Sequence, residues 1–211
     1  MKGKLLKLLA FAGISTMMWG CYPKGPEYVE QYDIVYTNYQ KDFTFKGKGK
    51  YTMPDSIVKI TGEAASGGNV QFMSPSYASL ITTRIKQNMA ALGYTYVPTA
   101  DSAQADFAIL NASIQVENYY YSYWYDYWYG WYYPGYWGGW YYPYPVVTNY
   151  TTGSLFMMMV DRKNISANDK TPVVWVGIVN GLLEGSSTNI TSRINSTIDQ
   201  AYTQTADILR Q

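Results

Sequence analysis

The sequence predicts an α+β fold, in which an antiparallel sheet has two helices packed on one face and carries a Tyr/Trp-rich, hairpin-like insertion. Three observations predict it: two segments with apolar residues at helical spacing, several short strand-like segments, and a long aromatic run between two of those strands. With 211 residues and 47% apolar content, the chain has room for one good core. We therefore expect a single domain at residues 32–211, with the insertion at about 119–145.

The N-terminal residues have the pattern of an export signal. Three lysines precede or interrupt an apolar stretch, Leu5–Met18, that is too short to span a bilayer, and Gly20 and Cys21 follow it. This arrangement resembles a bacterial lipoprotein signal peptide, which is cleaved before the cysteine and followed by lipid attachment to it. An ordinary secretory leader with a chance cysteine is the alternative. Cys21 is the only cysteine of the chain, and acylation would explain a single cysteine that has no second cysteine to pair with.

The expected location follows from this signal. We expect residues 1–20 to be a lipoprotein signal peptide, and residues 21–31 to be the lipidated cysteine and a tether. The tether lacks the run of acidic residues that often accompanies surface export of lipoproteins. The sequence therefore predicts a bacterial protein held at the outer membrane by lipid on Cys21, within the cell envelope and facing the periplasm.

The secondary structure predicted for the body of the chain is strands, helix, strand, insertion, two strands, helix. Residues 33–36 form a short β-branched run. Ser74 and Pro75 begin a helix that Gly93 ends. Residues 155–160 and 173–183 are predicted strands, with Trp175 packed in the core, and a final helix starts near Asn189. Asp161 is expected in a polar turn, and the lysines near residues 46–50 are expected in a solvated turn.

The segment from Ala105 to Glu117 shows the clearest alternation. Its even positions from Ala108 are apolar, and its odd positions from Asn111 are polar. Because side chains alternate between the faces of a strand, this predicts one buried face and one face in contact with water.

The aromatic run extends from Tyr119 to Tyr144, and 18 of its 26 residues are Tyr or Trp. Aromatic residues occupy every odd position from Tyr119 to Tyr133, which is a strand periodicity, and Pro134-Gly135 then supplies a turn. Tyr and Trp suit surfaces that are half wet, such as glycan platforms, protein interfaces and the membrane headgroup layer. A biased loop without a specific ligand is the plainer interpretation. The candidate binding residues are the tryptophans of this run: Trp124, Trp128, Trp131, Trp137 and Trp140.

Composition argues against several function classes. Three of the 16 basic residues lie in the leader, so 13 basic residues face 15 acidic ones, and no basic cluster accompanies the aromatics as nucleic-acid binding would require. The chain has no histidine, and we expect no metal, no cofactor and no enzymatic activity. Four carboxylates lie near the insertion in the sequence, and two of them could form a catalytic pair. Surface charge is the simpler interpretation of all four: Asp101, Asp106, Glu117 and Asp126.

The order of several short motifs resembles the "domain of unknown function 4136" lipoprotein family. The motifs are Asp33-Ile34-Val35-Tyr36-Thr37, Lys50-Tyr51-Thr52-Met53-Pro54-Asp55, Leu92-Gly93-Tyr94, Ala105-Asp106-Phe107, Leu155 to Asp161, and Val174-Trp175-Val176-Gly177. The resemblance covers roughly Tyr32 to the C-terminus. It implies a periplasmic or outer-membrane lipoprotein, and it brings no activity or catalytic residues. We therefore expect two kinds of partner: an envelope protein or a glycan for the insertion, and a membrane for the lipid on Cys21.

Overall fold

Three long, adjacent strands form the centre of the structure: β6 (Phe107–Ile114), β8 (Ser154–Asp161) and β9 (Thr171–Val179). The computed structural model describes residues 34–61, 71–115, 140–141, 153–164, 171–183 and 189–210, all of which belong to the compact unit Tyr32–Gln211. β6 and β8 pair antiparallel over their whole lengths, and β8 pairs antiparallel with β9. Every residue of the three strands is buried.

Shorter strands complete the sheet, whose main order is β1-β9-β8-β6-β2-β5. They are β1 (Val35–Tyr39), β2 (Lys50–Thr52), β3 (Val58–Ile60), β4 (Gln71–Phe72), β5 (Thr95–Tyr96) and β7 (Trp140–Tyr141). β3 pairs with both β6 and β4, and β7 pairs with β9. The helices are α1 (Pro75–Ala91), α2 (Ile190–Thr203) and α3 (Ala206–Leu209), with a 3₁₀ helix at Thr99–Gln104.

The two ends of the sheet are named here after Ser154 and Asp161, the first and last residues of β8. The Ser154 end contains the paired residues Ile114 and Ser154, with Val179 beside them. The Asp161 end contains the paired residues Phe107 and Asp161. Because Val35 pairs with Val179, β1 enters the sheet at the Ser154 end.

The α+β fold is confirmed, with one difference in the sheet. β1, β9, β8 and β6 are antiparallel, as expected, but β2 and β3 pair with β6 in parallel and β2 pairs with β5 in parallel. The physical reason is the connection: α1 lies in the chain between β3 and β6, and a helical crossover returns the chain in the same direction. The sequence pattern of such short strands does not reveal which neighbour they pair with.

Both predicted helices pack on the same face of the sheet, here called the helix face. α1 begins at Pro75 after Ser74 and is followed by Gly93 at a φ of 95°, as the sequence predicted. α1 buries Ile81, Ile85 and Met89 in the same core cluster as residues of α2. α2 ends at Thr203 with Gln204 as its C-cap, and α3 follows as a separate short helix.

Trp175 joins the sheet to the C-terminal helices, and its predicted core position is confirmed. Its side chain is fully buried and stacks on Tyr202, with ring centroids 5.1 Å apart. Its indole N–H donates a hydrogen bond of 2.9 Å to the Thr205 hydroxyl oxygen. The far edge of the indole lies over Gly177, where a Cβ would stand 2.7 Å from Cη2 of Trp175. Gly177 is therefore required by the close approach of this ring.

The second face of the sheet is also apolar and buried, and here the sequence expectation was wrong. The even positions of β6, such as Ala108 and Leu110, do share one face, where they cluster with Phe156 and Val176. Asn111 and the other polar odd positions lie on the helix face, not in water.

The burial of those polar positions is nearly complete. Asn111 is 1% exposed and Ser113 is 0% exposed, because the two helices cover this face. Alternation in the sequence shows that two faces differ, but it does not show which of them another element covers.

An ionic contact links the two long helices. Arg84 of α1 donates a hydrogen bond of 2.6 Å from Nε to Asp199 of α2, and Asn88 donates one of 2.8 Å to the same carboxylate. Burial opposes ionisation of Asp199, but these hydrogen bonds and the Arg84 charge outweigh it, so the pKa of Asp199 is lowered from its usual range.

We predict that Gly177→Ala lowers the free energy of unfolding by about 1–3 kcal/mol, because the added methyl group collides with the indole ring of Trp175. Gly49→Ala is the control, since a Cβ there meets no atom within 4 Å. Urea unfolding measures both. In a Trp175→Phe background, Gly177→Ala should lower the free energy of unfolding by less, because the ring atoms that collide with the added methyl group are gone. Equal effects at Gly177 and Gly49 would contradict the packing described.

We predict that Asp199→Asn lowers stability by about 0.5–1 kcal/mol at neutral pH, a small effect because about a third of each partner's side chain is exposed. The folded pKa is lowered, so the stabilisation is present above the unfolded value of about 3.9 and is lost as pH falls through the folded pKa. Urea unfolding of the unchanged and the Asp199→Asn proteins across this pH range measures the difference in the free energy of unfolding.

The control for this prediction is the more exposed pair of Lys86 and Asp55, whose atoms are 2.9 Å apart and whose aspartate side chain is 77% exposed. Asp55→Asn should change the free energy of unfolding by less than about 0.5 kcal/mol. A stability difference at Asp199 that persists unchanged in acid would overturn the assignment.

Candidate functional site

The aromatic insertion connects two strands that are neighbours at the centre of the sheet. It leaves β6 after Ile114 and returns at Ser154, and these two residues are paired. Gly153 donates a backbone hydrogen bond of 2.7 Å to the Ile114 carbonyl and has a φ of 78°, which glycine adopts without strain. Leu183 in turn donates a hydrogen bond of 3.0 Å to the Gly153 carbonyl. The connection that contains the insertion is thus held to the sheet at Ile114 and at Gly153–Ser154.

A third attachment lies at the opposite end of the sheet. Trp140 and Tyr141 form β7, which pairs in parallel with Thr171 and Pro172 at the start of β9. The start of β9 lies at the Asp161 end, whereas the insertion begins and ends at the Ser154 end. β7 therefore attaches residues 140–141 to the end of the sheet opposite to Ile114 and Ser154.

The structure locates one of the predicted binding residues. The backbone of Trp140 lies in β7. Trp124, Trp128, Trp131 and Trp137 lie outside the described residues, as does Cys21 with the signal peptide. The hairpin predicted for residues 119–144 also lies outside them, apart from β7. The tryptophan surface and the lipidation site therefore remain predictions.

The candidate carboxylates near the insertion do not assemble a catalytic pair among the described residues. Asp101 lies exposed in the 3₁₀ helix, and Glu117 and Asp126 are outside the described part of the chain. Asp106 accepts a hydrogen bond of 3.0 Å from the Lys50 backbone N–H, which ties β2 to the start of β6. This contact makes Asp106 a structural residue.

Asp161 also has a structural role. The sequence placed it in a turn, but it is the last residue of β8 and is fully buried. Its carboxylate accepts a hydrogen bond of 2.9 Å from the Lys163 backbone N–H and another from Asn164, so it holds the turn that follows. Lys48 lies 3.5 Å away and balances the charge. The lysines near residues 46–50, expected to form a solvated turn, thus include one that pairs with a buried carboxylate.

Buried tyrosines do not supply a base either. Burial raises the pKa of Tyr51, with Tyr96 adding to the effect, and burial also raises the pKa of Tyr202, with Tyr51 and Tyr94 contributing. These hydroxyl groups stay protonated at neutral pH. Within the described ranges, no three carboxylates or cysteines come together as a metal site.

Sequence analysis missed a polar row on the helix face of β6, formed by Asn111, Ser113 and Gln115. Neither side-chain polar atom of Asn111, nor the hydroxyl of Ser113, has a hydrogen-bond partner among the described residues. The signal was present as the alternation in this strand, but it was interpreted as a wetted surface. None of the described helices is long and apolar enough to cross a membrane.

Two solved structures are similar to this chain. A DUF4136 family protein from Bacteroides thetaiotaomicron VPI-5482 is 31% identical in sequence, with a TM-score of 0.66, and the match covers 84% of this chain and 97% of that one. A chain of the PelC dodecamer from Paraburkholderia phytofirmans is 14% identical, with a TM-score of 0.44 and coverage of 85% and 99%. No curated protein matches the sequence.

The family assignment rests on the sequence as well as on the fold. The profile described as domain of unknown function (DUF4136) matches residues 35–204, a range that starts at the first residue of β1 and ends one residue beyond α2. This range includes both helices on the helix face and the whole aromatic insertion. The chain belongs to the DUF4136 family of bacterial proteins.

Proposed function

We propose that this protein is a lipid-anchored protein of the bacterial outer membrane, facing the periplasm, whose domain is a non-catalytic binding module. Its Tyr/Trp-rich insertion would bind an envelope protein or a glycan. The observation that carries the proposal is the attachment of the connection that contains the insertion. This connection begins after Ile114 and ends at Ser154, which are paired, and Trp140–Tyr141 pairs with β9 at the other end of the sheet.

This attachment supports a binding role for a thermodynamic reason. A binding segment that must be ordered on contact loses conformational entropy, which weakens the complex. An insertion attached at three places on a fully buried sheet has less freedom to lose than a free tail. Tyr and Trp add large, rigid contact surfaces with a polar tip, which is why they dominate binding hot spots.

A non-catalytic role is supported by the hydrogen bonds that Asp106 and Asp161 make within the fold. The candidate Asp106 accepts a hydrogen bond from the Lys50 backbone N–H, and the buried Asp161 accepts one from the Lys163 backbone N–H in the turn that follows it. Their contacts stabilise the fold and leave neither of them directed at a substrate. An activity that one Asp or Glu substitution abolishes would overturn this part of the proposal.

The position of β1 supports anchoring through Cys21. β1 stands at the end of the main strand order of the sheet, and Ile34 just before it is 64% exposed. Thirteen residues separate Cys21 from Val35, enough for a tether of about 43 Å when extended. Two or three acyl chains on Cys21 would hold such a protein durably on a membrane.

A second function is favoured by the relative position of tether and insertion. Val35, where the tether joins the sheet, lies at the Ser154 end, which is also where the insertion begins and ends. The alternative is therefore a structural role in which the insertion lies in the lipid headgroup layer beside the anchor, where Tyr and Trp are enriched.

For the anchor, we predict that Cys21→Ser abolishes incorporation of radiolabelled palmitate and moves the protein from the membrane fraction to the soluble fraction. The thiol is the acylated group, and serine does not replace it. Tyr22→Phe is the matched control and should keep both the label and the membrane location. Unchanged labelling of Cys21→Ser would refute lipidation at this residue.

For the insertion, we predict that replacing residues 119–144 by a short turn removes a protein or glycan partner from pull-downs of envelope extract. Changing all five candidate tryptophans to Leu should have the same effect, because it removes the aromatic surface and keeps the length. The control is Tyr77→Phe, which alters an aromatic residue outside the insertion. Equal recovery with all proteins would contradict the binding role.

Vesicle binding separates the two functions. A Cys21→Ser protein whose tryptophan emission turns blue with lipid vesicles, and which loses this response when residues 119–144 are replaced, supports the headgroup location. Emission that is indifferent to vesicles argues against it and leaves the protein or glycan partner.

A further inference from the structure

The second face of the central sheet, opposite the helix face, is an apolar surface that water does not reach. Its cluster of twelve buried residues extends from Val58 of β3 across β6, β8 and β9, with Tyr36 of β1 packed against it. Ten of the twelve are at most 1% exposed, and this burial is reached within a single chain. None of the twelve belongs to a described helix. An apolar sheet face stays dry only when a second layer covers it, and the described helices supply that layer on the other face alone.

The connection between β6 and β8 is attached at both ends of this face. It begins just after Ile114, which is a member of the cluster, and Gly153 donates its hydrogen bond of 2.7 Å to the Ile114 carbonyl. At the Asp161 end, β7 pairs with the first two residues of β9, next to Val173, which is another member of the cluster. The connection therefore has fixed points at the two opposite ends of the apolar surface.

Length favours this connection over the other stretches outside the described ranges. The face extends about 20 Å from Ala108 to Ile114, so one crossing takes about six extended residues. Residues 62–70, 165–170 and 184–188 can each cross it at most once, whereas the 24 residues 116–139 suffice for about four crossings. Residues 1–33 are also long, but they precede β1, and their first part is the expected signal peptide.

The composition of the connection suits contact with an apolar surface. Between residues 116 and 152, Glu117 and Asp126 are the only charged residues, and most of the run from Tyr119 to Tyr144 is Tyr or Trp. These rings bury large apolar areas and can keep their polar tips in water at the margin of a contact. A segment of this kind can lie on a sheet without burying unpaired charges.

We propose that the aromatic insertion is the layer that covers the second face of the sheet. Its occupant is residues 116–139 of the same chain, so that the domain has three layers: helices, sheet and aromatic segment. This assignment depends neither on lipidation of Cys21 nor on a partner. Rings that pack on the sheet are not available to a partner, so a protein or glycan would contact the outer side of the insertion.

Thiol accessibility tests the proposal with adjacent residues on opposite faces. In a Cys21→Ser full chain, Ala112→Cys places the only thiol on the second face, and Ser113→Cys places it on the helix face; both positions are 0% exposed. Both thiols should react slowly with a soluble aromatic disulfide. Replacing residues 119–139 by a Gly/Ser segment of equal length removes the rings and keeps β7. The rate should then rise at least about tenfold for Ala112→Cys and stay unchanged for Ser113→Cys.

The unchanged rate for Ser113→Cys is the control for folding, because loss of the whole fold would raise both rates. Met158→Cys on the second face and Met159→Cys on the helix face form a second pair, for use if Ala112→Cys does not fold. Protection of Ala112→Cys that survives the replacement overturns the proposal and assigns the cover to another part of the chain. Equal rises on both faces also overturn it, as does reactivity that appears on dilution of the unreplaced protein, since a second copy would then be the cover.

Discussion

The antiparallel pairing of β6 with β8 is the constraint on which the rest of the structure depends. Eight consecutive residue pairs, from Phe107 with Asp161 to Ile114 with Ser154, align two strands that are buried on both faces. A shift by one residue would exchange every side chain between the faces. Such a shift would move Asn111 and Ser113 into the apolar second face and large apolar side chains into their places. The register therefore fixes both the core and the positions of the polar groups.

The helix face combines tight packing with polar groups that lack partners. Trp175 lies over Gly177 and donates to Thr205, so ring packing and hydrogen bonding position the C-terminal helices together. A few residues away in the same layer, Asn111 and Ser113 are buried without hydrogen bonds among the described residues. Stability alone would favour apolar residues at these two positions, since replacing unpaired polar groups is neutral or favourable.

The aromatic insertion has a particular place in the connectivity of the sheet. It lies in the connection between two adjacent central strands, a position where added length does not disturb the pairing of β6 and β8. The domain can therefore carry a long aromatic segment without a change in the register of its central strands.

The sequence by itself determined the α+β class, the start of α1 at Pro75, the burial of Trp175 and the family. Each of these depends on local patterns: a cap followed by proline, apolar residues at helical spacing, and motifs in a fixed order. Only the tertiary structure decided that β2, β3 and β5 pair in parallel, because pairing partners are set by chain crossovers and not by strand composition.

The same limit explains the polar row of β6. The alternation showed that Asn111 and Ser113 share a face, but burial depends on which face the helices cover, and that is a property of packing between distant segments. Lys59 and Ser113 are 54 residues apart in the chain and become neighbours only through the register of β3 with β6. A neighbour relation of this kind leaves no contiguous motif in the sequence, so only the folded structure reveals it.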